Sequence, residues 1–196
     1  RKFGDSSLFE LKLSQLSKAK GFDEIIVSSE EDSILSIAKK NGFSTHERDA
    51  KYSTNDIPMS DVYSYIASEI QGENIAWINV TNPLAGSDCY SNAVQMYQKM
   101  EKAFDCLLSV SEVRDYLFHN GKPINFKPNP WEKSQNLTGV VEMTFVINIL
   151  KRNDMIKWGS CVGETPCFYY LNKLISWDID SQEDFDFCEM IHSKFK

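Results

Sequence analysis

The sequence has 196 residues, 42% of them hydrophobic and 25% charged, and a formal net charge of −7. This length suits one domain, and the ordinary composition excludes a fibrous repeat and argues against disorder. The acidity, together with basic runs of at most two residues, argues against a nucleic-acid partner. No apolar run is long enough to span a bilayer and no signal-peptide pattern opens the chain, so no membrane association is expected.

The first third of the chain alternates helix and strand patterns. Leucines near helical spacing predict a helix over residues 7–21, with no strand before it. A β-branched run predicts a buried strand over 22–29. A helix over 31–40 follows, with Asn41-Gly42 as its C-cap. These segments form a strand–helix unit.

The same alternation continues in the next third. Helices are predicted over residues 60–70 and 88–102, and buried strands over 74–81 and 104–110. Strands and helices that alternate at this spacing predict an α/β fold, doubly wound around a mostly parallel sheet. In such sheets ligands bind at the carboxyl ends of the strands.

The alternation stops over residues 112–138. There Asn120-Gly121-Lys122-Pro123 predicts a hairpin turn within a long irregular stretch. Irregular segments of this length are typically lids or dimer contacts. The later predicted elements are a strand over 140–150, a helix over 153–158, a strand over 168–179, and a helix over 182–195 capped by Ser181. We predict one domain over residues 1–196, with 112–138 as an excursion.

Cysteine usage and the first residue bear on the origin of the chain. Five cysteines are odd in number, lie far apart and include no C-x-x-C pair. We therefore expect reduced thiols and a cytoplasmic protein, without a disulfide framework or zinc site. The chain opens on Arg1 without a methionine. We expect it to be part of a longer protein.

Two aspartates near the end of the chain are candidate metal ligands. Asp178 and Asp180 are two apart at a predicted strand end, so both carboxylates are expected on the same face. Such a pair suits Mg²⁺, which keeps several waters and bridges substrate phosphates. One aspartate could equally serve as a turn or N-cap residue for the next helix, and spacing alone leaves both interpretations open.

Polar residues earlier in the chain are candidate ligand contacts. Asn79 and Thr81 share one face at the carboxyl end of a predicted strand, although Thr81-Asn82-Pro83 also fits a simple strand-ending turn. Arg48 is a planar donor that could clamp a phosphate or a base, or an ordinary surface arginine. The three histidines are far apart, and no Ser-His-Asp or Cys-His pattern supports nucleophilic catalysis.

In order and spacing, these motifs resemble the acylneuraminate cytidylyltransferase family, the CMP-sugar synthetases. Residues 176–185 (Ser-Trp-Asp-Ile-Asp-Ser-Gln-Glu-Asp-Phe) resemble the family's terminal Asp-Ile-Asp-Thr-x-x-Asp-Phe. Residues 79–84 (Asn-Val-Thr-Asn-Pro-Leu) stand in the place of its Gln-Pro-Thr-Ser-Pro-Leu, and 48–56 look like its Arg-bearing loop. Residues 133–137 (Lys-Ser-Gln-Asn-Leu) are similar to Arg-Ser-Gln-Asp-Leu in one branch. The resemblance runs along the whole chain.

The resemblance implies a nucleotide-diphospho-sugar transferase-like fold. It implies transfer of CMP from CTP to the anomeric hydroxyl of a 2-keto sugar acid, with release of pyrophosphate, for surface polysaccharide synthesis. It also implies a homodimer formed through the excursion, and a first strand with a Gly/Arg/Lys loop ahead of Arg1. The implied site residues are Asp178 and Asp180 for Mg²⁺, Arg48, Asn79 and Thr81 for the nucleotide, and Lys133 and Gln135 for the sugar acid.

Two other functions stay open at this point. One is a metal-dependent glycosyltransferase that uses Asp178 and Asp180 as its Asp-x-Asp motif, although that motif usually follows an early or middle strand. The other is a non-catalytic relative kept for binding or assembly, because Asn79 stands where the family has Gln. The sequence does not distinguish among sugar acids.

Overall fold

A computed structural model of the chain describes residues 1–54 and 56–194. Asn55 in the predicted Arg-bearing loop and Phe195 in the predicted last helix lie outside the described residues. The described elements in chain order are β1 Lys2–Phe3, β2 Ser6–Ser7, α1 Leu8–Leu16, β3 Ile26–Ser29, α2 Asp32–Lys40, β4 Ser44–Glu47, α3 Met59–Glu69, β5 Asn74–Trp77, α4 Ser87–Gln98, β6 Cys106–Glu112, β7 Phe118–His119, β8 Lys122–Pro123, β9 Val141–Lys151, α5 Arg152–Trp158, β10 Pro166–Leu171 and α6 Gln182–Lys194.

The main sheet has four strands in the order β10-β6-β9-β5. β10 runs parallel to β6, whereas β9 runs antiparallel to both β6 and β5. The carboxyl ends of β5, β6 and β10 therefore share one edge of the sheet, and β9 begins at that edge. The predicted α/β fold is confirmed. The sheet was predicted to be mostly parallel, but the main sheet is mixed, with one parallel and two antiparallel pairings.

The predicted single sheet is divided in two among the described residues. β3 and β4 form a separate parallel pair, in register from Ile26↔Ser44 to Ser29↔Glu47. Within the described part of the chain, β5 pairs along one edge only, with β9, and no ladder joins it to β3. The two sheets therefore lack a shared set of backbone hydrogen bonds.

Helices cover both faces of the main sheet. α1 and α4 pack on one face, against residues that include Leu107 and Ile149. α3 and α5 pack on the other, against residues that include Cys106 and Leu150. Consecutive residues of a strand thus pack into hydrophobic clusters on opposite faces of the sheet, as the two-residue period of a strand requires. Among the described helices, none has the length and apolar character needed to cross a membrane.

The start of the chain differs from the prediction. β1 and β2 form a small antiparallel hairpin ahead of α1, so the expectation of no strand there was wrong. Phe3 in this hairpin is buried and meets the Phe185 ring edge-on, with centroids 5.3 Å apart. Packing against α6 therefore fixes a segment too short to carry a sequence pattern.

The segment that carries Asp178 and Asp180 also differs from the prediction. β10 ends at Leu171, so the predicted strand over 168–179 was wrong beyond that residue. Asn172 ends the strand locally, because its side-chain oxygen accepts the Ile175 N–H at 2.9 Å and folds the chain into a turn. The alternation argument for the two aspartates therefore fails, and other contacts set their positions.

A bulge interrupts the pairing of β6 with β9 near the carboxyl edge of the sheet. The buried Ser109 hydroxyl lies inside it, donating to the Thr144 carbonyl at 2.9 Å. The side-chain oxygen of buried Asn148 accepts the Ser109 N–H at 3.2 Å. These bonds satisfy the polar groups that the bulge leaves out of the ladder.

The excursion is a small aromatic unit between β6 and β9. Its hairpin turn is confirmed, because β7 and β8 pair around Asn120 and Gly121, which both have positive φ. Phe126 is buried beneath Phe118 and Trp131, with ring centroids 5.2 and 5.6 Å away. Phe118 and Trp131 are themselves 61% and 64% exposed, so the excursion presents an aromatic surface to solvent.

Candidate active site

Asp178 and Asp180 lie at the carboxyl edge of the main sheet, in the irregular chain after β10. They line a cavity of about 330 Å³ that the start of β9 closes on one side. The Oδ1 atom of Asp178 accepts the N–H of Ile179 at 3.1 Å. The lining residues are Glu142, Met143, Thr144, Phe145, Lys173, Ser176, Trp177, Asp178, Asp180 and Asp184.

The loop after β5 holds the aspartate segment in place. The Thr81 carbonyl accepts the N–H of Ile179, the residue between the two aspartates, at 3.0 Å. Asn82, which is fully buried, donates its side-chain amide to the carbonyls of Trp177 at 3.2 Å and Ser176 at 3.4 Å. Two residues of the loop thus bind Ser176, Trp177 and Ile179, the residues around Asp178.

A buried lysine supports this loop from α1. Lys12 is 3% exposed, and its Nζ donates to the Asn82 carbonyl at 2.8 Å and to the Tyr90 hydroxyl. Burial lowers the pKa of Lys12 to about 7, while the neighbouring Cys89 and Asp178 act in the opposite direction. The electrostatic field of Asp178 therefore reaches Lys12.

Sequence reasoning missed Lys12, although the sequence contains a signal for it. Leu8, Lys12 and Leu16 are spaced four apart and therefore lie on one face of α1. A lysine within such an apolar stripe indicates a buried cation with a specific acceptor. The acceptor, 70 residues away along the chain, could not be identified from the pattern.

Asp184 lines the cavity but serves the cap of α6. Its carboxylate accepts the Ser181 hydroxyl at 2.6 Å and the Ser181 N–H at 2.9 Å, while Ser181 Oγ accepts the Asp184 N–H at 3.2 Å. The predicted cap at Ser181 is confirmed. The Ser181 hydroxyl and the Trp177 indole N–H hold the pKa of Asp184 below its ordinary value.

The donor set fits Mg²⁺ bound together with a phosphate substrate. In the described part of the chain, no group of three or more His, Cys, Asp or Glu side chains is placed to hold a metal ion. A closed, all-protein site is therefore not formed by these residues. Mg²⁺ commonly uses one or two carboxylates, with substrate phosphates and waters completing its octahedral shell. Asp178 and Asp180, facing an open cavity, match that pattern.

Arg48 lies apart from this cavity, at the end of β4. Its guanidinium forms an ion pair with Glu30 at 2.5 Å, and its side chain is 22% exposed. Hydrogen bonding to Arg48 is the main cause that lowers the pKa of Glu30 to about 2. The Nε atom of Arg48 is buried and finds no acceptor among the described residues. Arg48 is therefore held by an acidic neighbour at the edge of the smaller sheet.

The other predicted contacts are scattered. Asn79 follows β5, and its side-chain oxygen accepts the Trp77 indole N–H at 3.0 Å. Thr81 reaches the aspartate segment through its carbonyl. Lys133 precedes the 3₁₀ turn at Ser134–Asn136 in the excursion, and Gln135 lies within it. Both are exposed, and neither lines the cavity.

A second cavity of about 440 Å³ lies beside the first. Its lining comes from the last residues of β6 and β10 and from the chain just after each strand. Lys173 lines both cavities, and Arg114 in the second is paired with Glu112 at 2.6 Å. Sequence reasoning identified neither basic residue. The lining residues are Glu112, Arg114, Asp115, Leu171, Asn172 and Lys173.

The fold is similar to that of solved cytidylyltransferase structures. No protein-family model matches the sequence, and a search of curated proteins finds no match either. The similarity is therefore one of structure.

Three solved structures illustrate that similarity. CMP:2-keto-3-deoxy-manno-octonic acid synthetase, complexed with CTP, has a TM-score of 0.73 at 8% identity, covering 100% of this chain and 91% of that one. The 4-diphosphocytidyl-2C-methyl-D-erythritol synthase of Anaerococcus prevotii has a TM-score of 0.71 at 14% identity, covering 98% of this chain and 88% of that one. A cytidylyltransferase of Leptospira borgpetersenii has a TM-score of 0.61 at 18% identity, covering 100% of this chain and 79% of that one. At these identities the chains share a fold, and function has to be argued from this chain's own residues.

Proposed function

We propose that this protein is a cytidylyltransferase that transfers CMP from CTP to the anomeric hydroxyl of a 2-keto sugar acid. The observation that carries the proposal is the Asp178 and Asp180 pair, which faces an open cavity at the carboxyl edge of a cytidylyltransferase-type sheet. Ligands of α/β sheets bind at this edge. The structurally similar CMP:2-keto-3-deoxy-manno-octonic acid synthetase was solved with CTP.

In the proposed reaction, the anomeric oxygen forms a bond to the α-phosphorus and pyrophosphate leaves in line. The hydroxyl proton passes to solvent as that bond forms. Asp178 and Asp180 would hold Mg²⁺, which would neutralise phosphate charge. Positioning and electrostatic stabilisation supply most of the catalysis in such transfers. No side chain is required to act as a nucleophile.

The remaining residues are proposed to orient the substrates. Arg48, Asn79 and Thr81 are proposed to contact the nucleotide, although none of them lines either cavity. Thr81 is joined to the aspartate segment by its carbonyl. Lys133 and Gln135 are proposed to contact the sugar acid. Because they line neither cavity, they need the excursion to reach a site, in the same subunit or in a second one.

A homodimer formed through the excursion is part of the proposal. Phe118, Ile124 and Trp131 are each more than half exposed there. A contiguous group of exposed apolar side chains is typical of a protein–protein contact. The second copy of the chain is the expected partner.

The test measures pyrophosphate release by the protein expressed from its complete gene. CTP, Mg²⁺ and a panel of acceptors are supplied, including several 2-keto sugar acids and 2-C-methyl-D-erythritol 4-phosphate. Release is expected with a sugar acid, and Asp180→Asn should reduce it by about 100-fold or more. Asp186→Asn is the matched control, because Asp186 is exposed on α6 and lies outside both cavities.

The outcomes separate the parts of the proposal. Release with the erythritol phosphate alone would retain cytidylyl transfer and reject the sugar acid as acceptor. Absence of release with every acceptor would refute the catalytic assignment. Equal rates for the wild type and Asp180→Asn would refute the role of the aspartate pair.

A further inference from the structure

Lys12 is a charged residue at a position where packing alone would select an apolar one. It is buried together with Leu13 and Leu16 of the same helix. Burying an ammonium group is costly unless it is hydrogen-bonded. The lysine is therefore explained by its acceptors, and the first of these is the backbone carbonyl of Asn82 at 2.8 Å.

α1 donates twice to the loop after β5. Gln15 lies one turn after Lys12 on the same face of the helix, and its Nε2 donates to the Pro83 carbonyl at 2.7 Å. Lys12 binds the preceding carbonyl, that of Asn82. Side chains of the helix thus fix two consecutive peptide groups of the loop.

The same loop binds the aspartate segment on its other side. The Thr81 carbonyl accepts the Ile179 N–H, and the Asn82 side chain donates to the carbonyls of Ser176 and Trp177. Asn82 is fully buried, so these bonds are shielded from water. A continuous set of hydrogen bonds therefore leads from Lys12 through Asn82 to the segment that carries Asp178 and Asp180.

We infer that Lys12 is a positioning residue for the Asp178 and Asp180 pair, acting through Asn82 and the loop after β5. The inference rests on the proposed function in one respect, namely that the pair binds a divalent metal ion. Outer-shell residues that orient metal ligands typically contribute 10-fold to 100-fold to metal affinity. Lys12 contributes in this way without touching the metal or the substrate.

The experiment measures Mn²⁺ binding by electron paramagnetic resonance, which needs no acceptor and no turnover. Lys12→Met should bind Mn²⁺ about 10-fold or more weakly than the wild type. Lys18→Met, the same change at an exposed lysine just after α1, should bind it equally well. Melting temperatures are recorded for both variants.

The sign of the effect distinguishes positioning from charge. The measurement is made at pH 6, where Lys12 is cationic, so loss of its charge alone would strengthen Mn²⁺ binding at the aspartate pair. Weaker Mn²⁺ binding by Lys12→Met would therefore mean that the aspartate pair is no longer held in position. Tighter binding, or an affinity within twofold of the wild type, would overturn the inference even if the melting temperature falls.

A second variant covers the case in which Lys12→Met does not fold. Asn82→Ala keeps the carbonyl that Lys12 binds and removes the side chain that binds Ser176 and Trp177. It should lose a similar factor in Mn²⁺ affinity. When both single variants fold, the double variant should lose little more than either, because the two residues act in series. Wild-type affinity in Asn82→Ala would refute the inference.

A fluorine label separates this inference from the proposed function. The protein is grown with 5-fluorotryptophan, and the ¹⁹F resonance of Trp177 is assigned with Trp177→Phe. That resonance should shift or broaden in Lys12→Met and Asn82→Ala and stay unchanged in Lys18→Met. If the wild type binds no Mn²⁺, the metal role of the aspartates fails. The ¹⁹F resonance of Trp177 then still tests whether Lys12 positions the aspartate segment. An unchanged resonance in Lys12→Met would refute that positioning role.

Discussion

Replacing buried Lys12 with methionine should change the way stability depends on pH. Burial lowers the pKa of Lys12 in the folded protein to about 7, against 10.5 for an ordinary lysine. Between these values the unfolded chain holds a proton that the folded chain has released. The free energy of unfolding of the wild type should therefore rise with pH through this window. Below about pH 7 both states are protonated, and the folded state bears the full cost of a buried charge.

The magnitude follows from the two pKa values. Over the whole window the difference corresponds to about 5 kcal/mol, of which about 2.5 kcal/mol falls between pH 6 and pH 9. The groups facing Lys12 are Cys89 and Tyr90 of α4 and the carboxylate of Asp178. Burial raises the pKa of both Cys89 and Tyr90, so they add little charge over the lower part of this range. Methionine at position 12 removes the effect of the lysine while the other groups stay.

Urea unfolding followed by circular dichroism measures this effect. The free energy of unfolding is determined at pH 6, 7, 8 and 9 for the wild type, Lys12→Met and Lys18→Met. The difference in free energy of unfolding between the wild type and Lys12→Met should increase by about 2.5 kcal/mol from pH 6 to pH 9. The corresponding difference between the wild type and Lys18→Met should stay constant. A constant difference for Lys12→Met would refute the reasoning, because it would mean that the lysine keeps an ordinary pKa in the folded protein.

Three further predictions concern the core, the excursion and a helix cap. Leu150→Ala removes a fully buried side chain and should cost about 2–5 kcal/mol in urea unfolding, and a loss below 1 kcal/mol would contradict the packing described. Phe118→Asp should convert a dimer to a monomer in light scattering, while Met190→Asp, at an exposed apolar residue of α6, should not. Ser7→Ala removes the capping box of α1 and should cost about 1 kcal/mol, and an unchanged urea midpoint would contradict that cap.

The helices and long strands were predictable because their apolar periodicity is strong. α2, α3 and β9 begin and end within a residue or so of the predicted bounds. β4 gave no signal, because Ser-Thr-His-Glu has no apolar alternation and the strand exists through its pairing with β3. Short elements of this kind depend on tertiary contacts that a local pattern does not contain.

The strand predicted over 168–179 shows why apolar content can mislead. Ile175 and Trp177 look like a continuation of β10, but each packs into a different hydrophobic cluster. The chain must turn to reach both, and the strand ends at Leu171. The strand prediction for this segment therefore holds only as far as Leu171.

The candidate site was predictable where a motif is contiguous. Asp178-Ile179-Asp180 can be found in the sequence alone, and the structure adds the cavity that the two aspartates line. The support from Lys12 joins residues 70 apart, and the pairing of Arg48 with Glu30 joins residues 18 apart. Such contacts follow from how the elements pack, and a single sequence carries no direct record of them.

The excursion is joined to the site at both of its ends. It leaves the sheet after Glu112 of β6 and returns at Val141 of β9, and these two residues are paired in the ladder. The residues beyond this pair, Arg114 on one side and Glu142 on the other, line the two cavities. A second subunit bound to the aromatic surface, as proposed, would therefore act on chain only a few residues from the two cavities. In the proposed dimer, association of the subunits and the shape of the two cavities would thereby be mechanically linked.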